Sequence, residues 1–127
     1  MALDNPNLTS IYLGGNDVHE MDVRKCPKLD TLSCWRGNYG GITSIDLSNN
    51  PNLTLLALGG HPLTELDLSN NGKVTNLGFS GLTSIDLKNR ITLKDLRFTY
   101  TNIQHLYLSG RSSLEVLRGY ALSNTDS

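Results

Sequence analysis

The strongest constraint in this chain is a short apolar pattern that recurs at a nearly fixed period. Between Ile42 and Asn71 the chain contains three copies of apolar-x-x-apolar-x-Leu, each followed by Gly or Ser. Extended in both directions, the pattern gives modules that start at Leu8, Val18, Leu29, Ile42, Leu53, Leu63, Val74, Leu82, Leu93, Ile103 and Leu114. Two alternating modules make a unit of about 21 residues, and such a period predicts a stack of repeats.

We divide the modules into two alternating sets. The A set starts at Leu8, Leu29, Leu53, Val74, Leu93 and Leu114, and the B set contains the others. In both sets the apolar residues at the fourth and sixth places alternate with other residues, which is typical of a short strand. Pairs such as Gly14-Gly15, Gly59-Gly60 and Asn70-Asn71 lie between modules, and both residue types tolerate the positive φ of tight corners.

Two short strands and two corners for each unit describe one coil of a solenoid. We therefore predict a mostly β fold of five to six coils over residues 1–127, with two short parallel strands per coil and little or no α-helix. A single coil cannot bury its own Leu residues, so the stability is expected to come from stacking between neighbouring coils.

Charge and composition exclude several classes of function. The formal net charge of -1, from 11 basic and 12 acidic residues, predicts no nucleic-acid partner. No apolar run approaches the roughly 20 residues that span a bilayer, so no membrane insertion is expected. No signal peptide is visible, but Asp4 to Leu8 already resembles the inside of a repeat, and the absence is uninformative.

The cysteine and histidine residues do not suggest a metal site or a cofactor. Cys34 occupies a Leu place and is interpreted as a core residue, whereas Cys26 lies in a corner. A bond between the two cysteines is the alternative. The three histidines lie on different coils without metal-ligand spacing, and no serine lies in a G-x-S-x-G elbow, so we expect no metal, no cofactor and no enzyme activity.

The residues from Leu8 to Val18 carry a family resemblance. They fit LxxLxLxxNxL at every fixed place, and phrases such as LTSIDL and LTELDLSNN recur along the chain. Over about Leu3 to Tyr120 the chain resembles the short leucine-rich repeats of bacterial surface proteins of the internalin-like and Bacteroidetes-like types. Cys34 at a Leu place is similar to the cysteine ladder of that type.

The resemblance implies further expectations. It implies an extracellular or cell-surface location and a protein partner, such as a host or cell-surface protein. The family's capping segments are missing, so we expect a fragment of a longer array or end-to-end self-association. The family's corner Asn is kept in the B set at Asn50 and Asn71, while the A set has Asn16 and then Gly37, His61, Leu82 and Thr101. The A sheet is the favoured concave, ligand-facing side.

Two links between modules are irregular. The link between Cys34 and Ile42, WRGNYGG, is longer than its counterparts and is expected to bulge outward. The link Ser80-Gly81 is shorter by two residues and is expected to turn tightly.

Outward-facing residues of the A strands form the candidate binding site. Small residues, Ala57, Gly59 and Gly78, are expected to make a floor between two walls. The residues of the walls are Tyr12, Trp35, Arg36, Arg97, Tyr100, Arg118 and Tyr120. Trp, Tyr and Arg are enriched at binding hot spots. The alternative is that they are ordinary strand residues, because strands favour aromatic side chains.

The B modules carry a row of aspartates at one outward place: Asp22, Asp46, Asp67 and Asp86. Tyr107 occupies the same place in the last B module. One interpretation is a cation-binding or adhesive stripe. The favoured interpretation is that each carboxylate accepts hydrogen bonds from nearby Ser hydroxyls and backbone amides, and that the row opposes edge aggregation.

The sequence thus favours a non-catalytic module that binds a protein through its A-strand face. A structural spacer that displays another domain is one alternative. Carbohydrate binding by the same aromatic residues is the other.

Overall fold

The computed structural model describes residues 1–15, 17–35, 40–90, 92–99, 103–110 and 112–120. In this part of the chain there are strands and corners but no helix. The strands are β1 (Ser10–Tyr12), β2 (Thr31–Ser33), β3 (Leu55–Ala57), β4 (Asn76–Phe79), β5 (Ser84–Leu87), β6 (Asp95–Thr99), β7 (His105–Leu108) and β8 (Val116–Tyr120). The predicted mostly β solenoid is confirmed.

The A modules form one continuous parallel sheet. Its order is β1-β2-β3-β4-β6-β8, so each coil contributes one strand. The register never slips: Ile11 pairs with Leu32, and Leu32 pairs with Leu56. The same inward row continues through Leu77, Leu96 and Leu117. Because parallel strands lie about 4.8 Å apart, the row stacks one apolar side chain on the next.

The B side is less regularly paired in the part of the chain that the structure describes. Strands β5 and β7 form a two-stranded parallel sheet, and Ala2 forms an isolated bridge with Asp22. Between the Ala2 bridge and β5 along the B side, the N–H of Thr64 donates to the carbonyl of Thr43 at 2.9 Å. Carboxylates at the outward places of neighbouring coils repel one another, which disfavours close pairing on this side.

The core fills the space between the two sides. Leu32, Leu53 and Leu56 are fully buried. In a second inward row, the rings of Phe79 and Phe98 stack with their centroids 5.7 Å apart. A Cβ at Gly119 would overlap the Phe98 ring, so the glycine makes room for the last aromatic side chain of the row.

Both cysteines are buried, and neither forms a disulfide. Cys34 lies in the second inward row, beside Leu58, with a side chain 1% exposed. Cys26 is fully buried in its corner, and its Sγ donates to the carbonyl of Leu3 at 3.7 Å. The interpretation of Cys34 as a core residue is confirmed, and the alternative bond between Cys26 and Cys34 does not form.

Buried asparagines brace the corners of the B modules. Nδ2 of Asn50 donates to the carbonyls of Val23 and Cys26, each at 3.0 Å. One coil later, Nδ2 of Asn71 donates to the carbonyls of Leu47 and Asn50, also at 3.0 Å. These carbonyls point into the corner, where the strand ladders do not reach them. Both asparagines, which the resemblance identified as corner residues, therefore hold their corners together.

The short link between the A and B sides turns through Gly81. Its φ is 88°, and a Cβ there would lie 2.5 Å from the backbone nitrogen of Leu63. Ser80 is buried, and its Oγ accepts a hydrogen bond from the N–H of Gly60 at 2.8 Å. The expected tight turn is confirmed. Residues 36–39 of the long link lie outside the described residues, although Gly40 and Gly41 beside them both have positive φ, at 80° and 122°.

Candidate functional site

The outward face of the six-stranded sheet is a grid of three rows, which we call the A face. The first row contains Ser10, Thr31, Leu55, Asn76, Asp95 and Val116. The second contains Tyr12, Ser33, Ala57, Gly78, Arg97 and Arg118. The third follows from the same register and contains Gly14, Trp35, Gly59, Ser80, Thr99 and Tyr120.

The first wall of the A face is made by Tyr12 and Trp35. Their exposed fractions are 71% and 52%, high for aromatic residues of a repeat whose apolar residues are otherwise largely buried. The Trp35 indole lies over Gly14 and Gly15, and a Cβ added at Gly14 would overlap it. The backbone supports this position, because the N–H of Gly15 donates to the carbonyl of Trp35 at 3.0 Å. Glycine at position 14 is therefore required for the position of the indole.

His61 holds both ends of the link that contains Trp35. Its Nδ1 accepts a hydrogen bond from the N–H of Ile42 at 3.0 Å. Its Nε2 lies 2.6 Å from the carbonyl oxygen of Cys34, which can only accept. The ring is therefore the neutral tautomer with the proton on Nε2, and it is fully buried.

The sequence places His61 among the A-set substitutions of the corner Asn and among the three histidines without metal-ligand spacing, and neither interpretation predicts a brace. A histidine at a corner place, next to an unusually long link, is a signal for such a brace. Because the imidazole reaches both Cys34 and Ile42, it fixes the segment from which Trp35 projects.

The floor of the A face consists of small residues, as expected. Ala57 and Gly78 are register partners in β3 and β4, and a Cβ at Gly78 would meet only ordinary contacts at 3.8 Å. A shallow depression of about 240 Å³ opens here and is lined in part by Leu55, Asn76 and Asp95. The floor can accept an apolar side chain from a partner.

The second wall contains Arg97, Arg118 and Tyr120 on the adjacent strands β6 and β8. The guanidinium of Arg97 pairs with the carboxylate of Asp95 through Nε at 2.9 Å and Nη2 at 3.0 Å. This pair raises the pKa of Arg97 above its ordinary value. Arg118 is the register partner of Arg97, and Tyr120 is 62% exposed.

The structure therefore brings together Tyr12 with Trp35, and Arg97 with Arg118 and Tyr120. Two coils of small residues lie between these groups. The predicted wall residues Arg36 and Tyr100 lie outside the described residues.

The aspartate row lies on the other side of the solenoid and forms local hydrogen bonds. The Oδ1 atoms of Asp46 and Asp67 each accept from the backbone N–H two residues later, at 2.9 Å. Asp22 and Asp86 do the same at 3.0 Å. The expected hydrogen bonding of this row is confirmed. Among the described residues there is no group of three or more His, Cys, Asp or Glu side chains that could hold a metal ion.

These hydrogen bonds stabilise the charged carboxylates. The Ser48 hydroxyl, followed by the Ser48 backbone N–H, lowers the pKa of Asp46, although the nearby charge of Asp22 acts in the opposite direction. The backbone N–H and then the hydroxyl of Ser69 lower the pKa of Asp67. Hydrogen bonds from Arg24, first from its side chain, lower the pKa of Asp22.

A comparison of the fold with solved structures finds the functional domain of InlJ from Listeria monocytogenes, which includes a cysteine ladder. The match has a TM-score of 0.79 and 24% sequence identity, and it covers 94% of this chain and 26% of that chain. The fold is thus that of an internalin leucine-rich repeat solenoid. No protein-family model and no curated protein sequence matches the chain.

The row of this chain that contains Cys34 differs from a ladder of cysteines. Along this row Cys34 lies between Leu13 and Leu58, Phe79 and Phe98 follow, and Gly119 ends the row. Cys34 is therefore a single sulfur in a row otherwise composed of Leu, Phe and the terminal Gly. The described residues contain no helix long and apolar enough to cross a membrane.

Proposed function

We propose that the chain is a non-catalytic protein-binding module that recognises its partner through the A face. One observation carries the proposal: the half-exposed Trp35 lies on a glycine pair, on a link that the buried His61 braces at both ends. A large aromatic side chain that is already held in place loses little conformational entropy when it binds. Exposed aromatic anchors of this kind dominate the energetics of interfaces.

The similarity to an internalin leucine-rich repeat protein supports protein binding and a location at a cell surface or outside the cell. The same similarity supports a role without catalysis. Binding through the A face requires no reacting group. A protein of a host or neighbouring cell is the proposed partner, and Arg36 and Tyr100, which lie outside the described residues, remain proposed contributors.

The test is a pull-down from surface-labelled cells, followed by affinity measurements on the recovered protein. Trp35→Ala should weaken binding by tenfold or more, which corresponds to at least about 1.4 kcal/mol. Tyr107→Ala is the matched control, because Tyr107 is also exposed, at 46%, but lies on the B side. Equal affinities of the Trp35→Ala variant and the wild type would refute recognition through the A face.

Carbohydrate binding is the second candidate, because exposed aromatic rings such as Trp35 and Tyr12 can also stack on sugars. A glycan array distinguishes the two. Specific glycan signals that Trp35→Ala removes, without any protein recovered in the pull-down, would favour the carbohydrate. A structural spacer would give neither result.

We also propose that the edge of the sheet at β8 associates with another coil, by end-to-end contact with a second copy or with further repeats. Leu117 is 51% exposed, whereas its register partner Leu96 is fully buried. Among the described strands β8 has a partner on one side only, and an edge strand with an exposed Leu favours association. Light scattering should show a mass that rises with concentration, and Leu117→Lys should abolish the rise. A strict monomer at high concentration would contradict the end-to-end contact between copies.

A further inference from the structure

The charges on the A face are few and unevenly placed. Among its three rows the charged residues are Asp95, Arg97 and Arg118, all on β6 and β8. Lys94 and Glu115 precede these two strands and carry opposite charges, so they leave the balance unchanged. The second wall therefore has one positive charge in excess.

The excess charge belongs to Arg118. Asp95 holds the Arg97 guanidinium with two parallel hydrogen bonds, which leaves that pair neutral as a whole. On β8 the register place of Asp95 is occupied by Val116, so Arg118 has no equivalent carboxylate on its own strand. Within the described residues no ion pair involves Arg118, and its side chain is exposed. Its guanidinium is free to bind an anion.

An apolar depression lies close to this charge. It is lined by Leu55, Ala57 and Gly78 and ends at Arg97, the register partner of Arg118. One strand spacing, about 5 Å, separates Arg97 from Arg118, and two separate Gly78 from Arg118. Residues about three positions apart in a single extended loop can cover this distance, since each residue spans about 3.3 Å.

We propose that the partner presents an acidic loop to the A face, with an aspartate or glutamate carboxylate on Arg118 and a neighbouring apolar side chain in the depression. This inference rests on the proposed function, because it specifies the chemistry of a partner that uses the same face. A carboxylate matches the planar guanidinium with two parallel hydrogen bonds. A basic loop would meet the excess positive charge, and like charges at an interface disfavour binding.

The experiment uses a phage library of disulfide-closed random loops, selected on the full chain. Asp and Glu should be enriched at least threefold over the input library among the loops that bind. Arg118→Glu should weaken those loops tenfold or more, and Arg118→Gln should weaken them to a lesser extent. Lys28→Glu makes the same charge change at an exposed position outside the A face, and binding should stay within twofold.

A charge exchange makes the test specific. Replacing the selected Asp or Glu of a loop with Lys should abolish binding to the wild type and restore binding to the Arg118→Glu variant at least fivefold. Denaturant midpoints of the variants should equal that of the wild type, which separates lost contacts from lost folding.

The outcomes separate this inference from the proposed function. Gly78→Trp fills the depression, and loops that use the A face should lose binding to it. Loops that lose binding to Gly78→Trp but lack acidic residues overturn the inference and leave the proposed function standing. Loops that are insensitive to Gly78→Trp, or no loops above background, count against both.

Discussion

The two sides of each coil are built from the same repeat, yet they pack differently. On the A side, the middle apolar residues Leu32, Leu56 and Leu96 are completely buried beneath a continuous sheet. On the B side, the counterparts Ile45 and Leu66 in the middle of the stack are only partly buried, whereas Met21 and Ile85 are buried. The outward residues differ as well. Uncharged residues line the middle of the A face, whereas aspartates line the B side.

This contrast shows that the apolar pattern alone does not determine how tightly neighbouring coils pair. Uncharged outward residues in the middle of the A face allow β2, β3 and β4 to approach and pair in register. Carboxylates at the outward places of the B side turn to the backbone two residues later and close local turns. The A side is therefore held together by a continuous sheet, whereas the B side is held mainly at its corners.

Truncation of the core should reveal the largest difference. Leu56→Ala should lower the free energy of unfolding by about 2 to 5 kcal/mol, because it removes a fully buried side chain from the continuous sheet. Leu66→Ala is the matched variant on the B side and should cost about 1 to 2 kcal/mol, since that side chain is only partly buried. Urea denaturation measures both. Equal losses would show that the two sides pack equally tightly.

The corner asparagines should rank next. Asn71→Ala removes two donors to buried backbone carbonyls and should destabilise the chain by about 1 to 3 kcal/mol. Asn70→Ala, at the exposed neighbouring position, should stay within about 0.5 kcal/mol of the wild type. Thermal unfolding followed by circular dichroism compares the two. If Asn71→Ala were as stable as Asn70→Ala, the corners would not be what holds the B side.

Acid should produce the smallest loss of stability, and this loss should come from the aspartates of the B side. The folded-state pKa values of Asp46 and Asp67 lie below the ordinary value of 3.8, so the unfolded chain binds these protons more readily. Their stabilising contribution is present above about pH 4 and is lost as the pH falls through the lower folded-state values. Urea midpoints between pH 5 and pH 2 should show this decline.

The double variant Asp46→Asn, Asp67→Asn provides the control. Asn keeps the acceptor oxygen and does not titrate, so the decline between pH 5 and pH 2 should be shallower than in the wild type. An identical decline would assign the acid sensitivity to other carboxylates.

The sequence predicted the architecture because the apolar places, the corner asparagines and the glycine pairs each impose a local geometry. Leu8, Leu29 and their counterparts are in phase along the whole chain, and the buried rows follow directly. The tight turn at Gly81 was predictable from the length of its link alone.

The details of the candidate site were less accessible, because they depend on contacts between coils. The position of the Trp35 indole over Gly14 joins side chain and backbone across 21 positions, and the brace from His61 to Cys34 spans 27. The pairing of Arg97 with Asp95 within one strand could have been read from alternation. That Arg118 has no such carboxylate partner became clear from the register, which places Val116 beside Asp95.

The short reach of the bonds between coils has a consequence for how such a chain can change. The hydrogen bond from Asn50 to Val23 spans 27 positions, and the bonds from strand to strand span similar distances. Within the described residues each coil therefore meets its immediate neighbours, and no described segment closes the stack upon itself. Duplication or loss of one whole coil in the regular middle would leave every other interface as it is, so the distance between the Trp35 wall and the Arg118 wall could lengthen or shorten in steps of about 5 Å.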